Sequence, residues 1–279
     1  MTTSPLAPHG TDLTLRSGPA ELSIAAAHGG RLAGLRVDGL DLLVTGAEGI
    51  FGWGSYPMAP FAGRVRDGVL TWQGRRHQLP RNNPPHAMHG LVLDRSWQVT
   101  DADATSAELR CDFDSRWPWA GHVRQQVQLF DDHLLLRLEV HADEGGREEG
   151  PMPAWTGHHP WFARQLSRGE PVRFEVPAAG MFTNDPPGIP TGVTVPVGTG
   201  PWDDTYVDVA WPATLTWEGA LALSIDADTR YAVVFDHRPH AVCVEPQTAP
   251  PNATELGLAA AVVPGQPLTM AMSLTWRPA

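Results

Sequence analysis

Histidines that occur in pairs are the first residues of this sequence that could do chemistry. The chain has twelve histidines among 279 residues, and three pairs of them lie close to prolines or aromatic residues. The pairs are His86 and His89 in NNPPHAMHGL, His158 and His159 in TGHHPWF, and His237 and His240 in FDHRPH. Because imidazole titrates near neutral pH, such residues serve as general acids and bases or as metal ligands.

One carboxylate, Glu245, stands in an unusual setting in the stretch VCVEPQTAPPN. The apolar run 241–244 predicts a buried strand, and three prolines follow at positions 246, 250 and 251. Since proline fixes φ and has no backbone N–H, we expect the strand to end at Glu245 and its exit to be rigid. The pattern predicts a carboxylate held in one position at the edge of a sheet, which suits a general base.

Clustered histidines also suggest a metal site, to which Glu245 would add a carboxylate oxygen. However, no two histidines have the alternate spacing that places both side chains on one face of a strand, and the HExxH spacing of helical zinc sites is absent. The sequence therefore predicts no metal and no organic cofactor.

Other polar and aromatic residues in turn-rich stretches could bind a ligand. Arg64, in PMAPFAGRVRDG, has apolar neighbours, and its guanidinium would need an acceptor such as a carboxylate or paired hydroxyls. Asp203, in WDDTYV, is equally consistent with a ligand-binding residue and with a turn residue that caps its own backbone. Trp53, Trp161 and Trp202 could stack on the C–H face of a sugar or simply pack in the core.

The elements that must position these residues are strands. Glycine and proline, 28 and 27 residues, are spread along the whole chain, and short alternating apolar runs recur between them. Residues 70–79 predict a hairpin around Gln73-Gly74, and residues 122–142 predict another around Asp131-Asp132. Period-3.6 stripes are almost absent, so we predict an all-β fold of two large packed sheets, with residues 1–279 as a single domain.

Charge and composition exclude several classes of function. The formal net charge of −11 argues against nucleic acid and anionic membranes as partners. All twenty basic residues are arginine, so no lysine is available for Schiff-base or P-loop chemistry. Cys111 and Cys243 are far apart in strand-like runs, which predicts two buried thiols rather than a disulfide. With no secretory signal or membrane span in the sequence, we expect a cytoplasmic protein.

Five stretches, in order along the chain, resemble the motifs of the aldose 1-epimerase (galactose mutarotase-like) family. They are PFAGRVRDG, HAMHG, GHHPWF, DDTYV and VCVEPQTAPPNA, and together they span residues 60–253. The resemblance implies a large two-sheet β-sandwich, the galactose mutarotase-like supersandwich, and a cofactor-independent isomerase. The sequence departs from the family pattern at Gly63 and His158, where asparagine is usual, and "HGL" replaces "HGG".

The resemblance also implies roles for individual residues. Glu245 would be the general base and His159 the general acid, whereas Arg64, His89 and Asp203 would bind sugar hydroxyls. The substrate would be a small-molecule sugar, an aldohexose whose α and β anomers are interconverted, and the protein would be a monomer or a homodimer.

Three alternatives remain open from the sequence. One is a hexose-6-phosphate mutarotase, for which Arg95 and Arg164 could supply positive charge. Another is a non-catalytic carbohydrate-binding protein of the same fold, although binding alone does not need an acid–base pair. The third is a lyase or hydrolase on a similar sandwich, since one fold hosts many functions.

Overall fold

The computed structural model describes residues 13–46, 49–186 and 188–279, and strands make up most of them. The first thirteen strands are β1 (Leu13–Ser17), β2 (Ala20–Ala25), β3 (Arg31–Val37), β4 (Leu40–Asp41), β5 (Ser55–Met58), β6 (Arg64–Val65), β7 (Val69–Trp72), β8 (Arg75–Gln78), β9 (Ala87–Met88), β10 (Gln98–Ala102), β11 (Ser106–Asp112), β12 (Gly121–Leu129) and β13 (His133–Ala142). The remaining strands are β14 (Met152–Ala154), β15 (Gly157–Pro160), β16 (Phe162–Ala163), β17 (Arg173–Glu175), β18 (Ala178–Asp185), β19 (Ile189–Val195), β20 (Asp203–Val209), β21 (Ala213–Trp217), β22 (Leu221–Ala227), β23 (Tyr231–Phe235), β24 (Ala241–Gln247), β25 (Ala260–Val262) and β26 (Leu268–Arg277).

Helical structure in the described ranges is limited to two single 3₁₀ turns, Ala26–His28 and Arg66–Gly68. No helix in these ranges is long and apolar enough to span a membrane. The prediction of an all-β fold is therefore confirmed.

Two large sheets dominate the architecture. The larger has twelve strands, in the order β1-β2-β3-β5-β15-β24-β23-β20-β18-β19, with β4 pairing β3 and β16 pairing β24 at its sides. The smaller has eight, in the order β10-β11-β12-β13-β26-β22-β21-β17. The central strands of the larger sheet are far apart in sequence, so long-range pairing places β5, β15, β24, β23 and β20 side by side.

The apolar core lies between the two sheets. Leu22 and Leu32 of the larger sheet belong to the same buried cluster as Leu109, Leu136 and Leu274 of the smaller one. Burying side chains on one face of each sheet is the main source of stability in such a sandwich. This leaves the other face of the larger sheet available for a binding site.

Both predicted hairpins are confirmed. β7 and β8 pair around Gln73-Gly74, and Gln73 has a left-handed φ of 48° as tight turns require. β12 and β13 pair along their whole length, from Gly121↔Ala142 to Leu129↔Leu134. Cys111 and Cys243 are both buried free thiols, as predicted.

The prediction that a strand ends at Glu245, at the sheet edge, is wrong. β24 continues through Pro246 to Gln247, and it lies between β15 and β23 in the interior of the twelve-stranded sheet. A proline removes one backbone donor rather than the whole ladder, and pairing with β15 on that side of β24 is limited to Gly157↔Gln247. Glu245 therefore gains its fixed position from strands on both sides.

Candidate active site

A cavity of about 370 Å³ lies over the central strands of the larger sheet. Its volume falls within the usual range of small-molecule sites, roughly 300–1,000 Å³. All five residues that the sequence selects, Arg64, His89, His159, Asp203 and Glu245, line this cavity. The structure thus brings together side chains that are up to 181 positions apart in the sequence.

A row of cross-strand neighbours forms the floor of the cavity, and we call it the floor row. The row crosses five adjacent strands and consists of Tyr56, His159, Glu245, Val233 and Thr205. Tyr56 pairs with His159, Glu245 pairs with Val233, and Val233 also pairs with Thr205. Paired residues in antiparallel strands have side chains on the same face, with Cβ atoms about 5 Å apart. Strand register alone therefore points all five side chains into the cavity.

The alternate residues of these strands face the smaller sheet. Ala232 and Val234 flank Val233 on β23, and they pack in a buried cluster that includes Phe174 of β17. His158 likewise has its side chain on the face opposite that of His159, because it is the next residue of β15. His158 is buried and lies outside the cavity lining.

His159 and Glu245 form a buried pair of titratable groups on the floor of the cavity. Nε2 of His159 lies 3.2 Å from Oε1 of Glu245, and the two side chains are only 6% and 3% exposed. Gln247, two residues along β24 on the same face, donates from Nε2 to Oε2 of Glu245 over 3.3 Å. This arrangement leaves the carboxyl group little rotational freedom.

Burial sets the proton affinities of this pair. Removal from water lowers the pKa of His159 well below its usual value, and it raises the pKa of Glu245 well above its usual value. The negative charge of Asp203 raises the pKa of Glu245 further, whereas Arg64 lowers it. Both main shifts favour the uncharged forms, a neutral imidazole beside a protonated carboxyl group.

Aromatic rings enclose His159. Tyr56 lies with its ring centroid 4.8 Å away, and the indole of Trp161 stacks parallel to the imidazole at 5.3 Å. The ring of His89 meets His159 edge-on at 4.9 Å. Burial, with a smaller contribution from the charge of Arg64, lowers the pKa of His89 to about 3, so this residue is a neutral hydrogen-bonding group.

Arg64 and Asp203 form an ion pair on the cavity wall. Nη2 of Arg64 donates to Oδ2 of Asp203 over 2.9 Å, and Nη1 reaches the carbonyl of Gly188 at 3.4 Å. Asp203 begins β20 and therefore faces the cavity rather than capping a turn. Both side chains remain partly exposed, so each retains capacity to bind a ligand.

Two glycines allow the loops that carry Arg64 and His89 to reach the cavity. Gly63 has a φ of 67°, and a Cβ atom there would come within 2.4 Å of Pro251 Cγ. At Gly90, φ is 82° and a Cβ atom would lie 2.0 Å from the carbonyl oxygen of Ala59. Contact with Pro251, near the end of the Glu245 motif, gives a physical reason for glycine before Arg64.

Several lining residues were not selected from the sequence. The main ones are Phe51, Tyr56, Asn184, Thr205, Phe235 and Gln247. Of these, Gln247 could have been recognised from its alternate spacing with Glu245 on one strand. The others depend on which strands pair, which local sequence does not specify.

Some of the sequence-based alternatives do not reach the cavity. Trp161 lines it, but Trp53 packs with its ring under Arg31 at 4.1 Å and Trp202 lies against Phe174 outside the lining.

The two arginines that could have bound a phosphate group are engaged elsewhere. Arg95 pairs with Asp114. Arg164 donates to the carbonyls of Arg238, Asp236 and Ala241, so neither arginine supplies charge to the cavity.

The chain matches the model of one protein family, aldose 1-epimerase, over residues 12–254. This chain belongs to the aldose 1-epimerase family. The family resemblance inferred from the five motifs is therefore confirmed, and so is the two-sheet β-sandwich expected with it.

Relatives of this aldose 1-epimerase family member include curated and structurally solved proteins. The chain is 25% identical to the uncharacterized protein YihR of Escherichia coli K12 over 222 residues, which make up 72% of this chain and 71% of YihR. A provisionally assigned aldose 1-epimerase of the same organism has the same fold, with a TM-score of 0.82 at 22% identity over 95% of this chain and 98% of that one. Galactose 1-epimerase from Lactobacillus acidophilus NCFM is also similar, with a TM-score of 0.77 at 16% identity over 95% and 93% of the two chains.

Proposed function

We propose that this protein is an aldose 1-epimerase that interconverts the α and β anomers of a free aldohexose. The observation that carries the proposal is the buried pair His159 and Glu245, 3.2 Å apart on the floor of a sugar-sized cavity. Membership of the family supports the same reaction class. A carbohydrate-binding protein would gain nothing from burying two titratable groups against one another.

The chemistry requires one base and one acid. Ring opening removes the proton from the C1 hydroxyl while the ring oxygen O5 gains a proton, and the C1–O5 bond breaks. In the proposed mechanism the Glu245 carboxylate accepts the C1 hydroxyl proton and His159 donates to O5. The open-chain aldehyde then rotates about C1–C2 and closes on its other face, with the two residues exchanging roles. General acid and base catalysis each contribute roughly 10²–10⁴-fold.

The number of protons that His159 and Glu245 share explains why a buried pair suits this reaction. The charged pair of imidazolium and carboxylate carries the same number of protons as the uncharged pair of imidazole and carboxylic acid. Ring opening converts the first into the second, since His159 loses a proton and Glu245 gains one. Because burial lowers the pKa of His159 and raises that of Glu245, it favours the uncharged pair, so the charged pair is the less populated reactive form and ring opening returns the site to its more stable form.

The remaining lining residues would orient the pyranose. Arg64 and Asp203 present donors and acceptors at one wall, and His89 presents a neutral imidazole whose Nδ1 has no protein partner. The parallel face of Trp161 beside His159 offers an apolar surface for sugar C–H groups. These side chains together would hold the sugar through hydrogen bonds and one apolar contact.

Polarimetry tests the proposal directly. Freshly dissolved α-D-glucose or α-D-galactose is followed to anomeric equilibrium with and without protein, and acceleration over the buffer rate is expected. A parallel reaction with glucose 6-phosphate tests the phosphorylated alternative, for which the positions of Arg95 and Arg164 give no support. Failure to accelerate any aldose in a panel, with sugar binding retained in calorimetry, would favour the carbohydrate-binding protein instead.

A further inference from the structure

One buried thiol lies against the catalytic pair without a part in sugar chemistry. Cys243 precedes Glu245 by two residues on β24, so both side chains emerge on the same face of the strand. Sγ of Cys243, a carboxylate oxygen of Glu245 and a ring nitrogen of His159 all lie within 4.8 Å of one another, and all three residues are buried. The sequence pattern suggests only histidines as partners of Glu245 at a metal site, whereas this cluster combines one histidine with a cysteine.

The spacing of these three atoms suits a cation. A point between three atoms that are at most 4.8 Å apart lies no more than about 2.8 Å from each of them. Zinc binds cysteine sulfur at about 2.3 Å and histidine nitrogen or carboxylate oxygen at about 2.0–2.2 Å. Each donor would therefore need to move inward by less than about 1 Å, which small side-chain rotations provide.

The chemistry of the donors selects the class of cation. Thiolate and imidazole are ligands for zinc and related thiophilic ions, whereas magnesium and calcium require oxygen ligands. Three protein ligands with a fourth position facing the cavity are typical of an open zinc site. His159 and Glu245 line the cavity, so a cation can reach the cluster by the route that a sugar would take.

We propose that His159, Cys243 and Glu245 form an inhibitory site for a thiophilic divalent cation, with Zn²⁺ as the prime candidate. A bound cation takes a lone pair from each of the three side chains, and two protons, one from the thiol and the one that His159 and Glu245 share, pass to the buffer. The site is then unable to transfer protons to or from a sugar. Inhibition as the outcome rests on the proposed epimerase function, whereas binding of the cation does not.

Co²⁺ provides a readout of binding that is independent of activity. Protein freed of metal by a chelator is titrated with Co²⁺, and the thiolate-to-cobalt charge-transfer band and the visible bands of four-coordinate cobalt are recorded. The wild-type protein is expected to bind one equivalent with both signals, and Zn²⁺ should displace it. Cys243→Ser and Cys243→Ala should each lose the charge-transfer band.

The second free cysteine supplies a matched control. Cys111 is also buried but belongs to β11 of the smaller sheet, so Cys111→Ser should keep the cobalt signals. Circular dichroism and a melting curve establish that each variant is folded. A charge-transfer band that survives in both folded Cys243 variants, or that disappears in Cys111→Ser, would overturn the proposed site, as would a wild-type protein without the band.

Kinetics test the inhibitory consequence. Zn²⁺ should abolish mutarotation by the wild-type protein and by Cys111→Ser, and a chelator should restore it. Cys243→Ala should continue to catalyse mutarotation at Zn²⁺ concentrations that inhibit the wild type. Equal sensitivity of Cys243→Ala and wild type would overturn inhibition through this cluster. If no aldose is turned over by any protein, the proposed function fails while the cobalt experiment still decides the binding site.

Discussion

As the proposed base, Glu245 has a carboxyl group that pairs with no arginine among the described residues. Its hydrogen-bond partner among the described side chains is the amide of Gln247, a neutral donor, and His159 is its nearest titratable neighbour. A neutral donor fixes orientation, and its hydrogen bond lowers the pKa of the carboxyl group less than a directly paired guanidinium would. The pair thus combines a defined geometry with proton affinities that differ from those of exposed side chains.

Glu245→Gln should remove the base while keeping shape and size. We expect mutarotation to fall by roughly 10²–10⁴-fold, because this is the contribution of one general base, and sugar affinity to change little. Polarimetry gives the rate, and calorimetry gives the affinity. Glu218→Gln, at a largely exposed position of the smaller-sheet side, is the control and should behave as wild type. Near-normal turnover in Glu245→Gln would refute the assignment of the base.

Asp203→Asn should weaken substrate binding rather than the proton transfer. It removes the carboxylate that accepts from Arg64, and a hydrogen bond to a charged group contributes about 1.5–3 kcal/mol. The expected result is a KM raised roughly 10- to 100-fold with a smaller change in kcat. Asp185→Asn is matched to it, since Asp185 pairs with Arg66 at 2.6 Å nearby but lies outside the cavity lining. A loss confined to kcat would contradict a binding role.

At the scale of elements, alignment of the acid with the base depends on how closely β15 approaches β24. Gly157 makes this approach possible, because a Cβ atom there would lie 2.6 Å from the carbonyl oxygen of Pro246 and 2.9 Å from Cγ of Gln247. A methyl group at this position would force the strands apart just two residues from His159. The packing of β15 against β24 and the proposed catalysis therefore depend on the same glycine.

Gly157→Ala should impair turnover more than its stability cost explains. Overpacking of this kind destabilises by about 1–3 kcal/mol, and a shift of about 1 Å between reacting groups can lower the rate about 100-fold. Gly34→Ala is the control, since a Cβ atom at this strand glycine of the same sheet would meet Thr45 Cγ2 at an ordinary 3.4 Å. Thermal melting and polarimetry on both variants separate the two effects. Wild-type kcat in a destabilised Gly157→Ala would contradict the role of strand spacing.

The sequence predicts the elements better than their pairing. Alternation and turn residues identify β7–β8 and β12–β13 because each hairpin is local, with its partner strands joined by two or three residues. The floor row joins strands that begin as far apart as Ser55 and Ala241, and no local pattern encodes that register. For this reason the sequence alone does not identify Tyr56 and Thr205 as residues of the site. Pro246 has the opposite effect on prediction, because a proline is typical of a strand end, whereas here it removes one backbone donor and β24 continues to Gln247.

At the scale of the whole molecule, buried histidines make stability depend on pH. Burial lowers the pKa of His86, His89, His122 and His158, to about 3 for His89 and about 4 for His158. In the unfolded chain these groups bind protons near pH 6.5. Between the folded and unfolded pKa values the unfolded state holds more protons, so stability is lost as pH falls through this window.

The melting temperature should accordingly decrease between pH 7.5 and pH 5. His122→Gln should show a smaller decrease, because it removes one of the contributing groups. The charged and titratable groups that face His122 are Asp143, at 2.8 Å from Nδ1, with Arg110 and His141. Melting curves of wild type and variant at several pH values measure the slope. A variant slope equal to or steeper than that of wild type would contradict the contribution of His122.

The alternation of side chains across the larger sheet has a consequence for altering substrate range. Thr205, Val233 and Phe235 face the cavity, whereas Ala232 and Val234, which flank Val233 on β23, belong to the buried cluster beneath. Libraries that randomise only the cavity-facing positions of β20 and β23 would therefore vary the wall around the sugar while leaving the sandwich interior unmutated. A library that randomises consecutive residues would also mutate the buried positions, and many of its variants would be destabilised. The alternation along each strand thus indicates which positions can be randomised in one library.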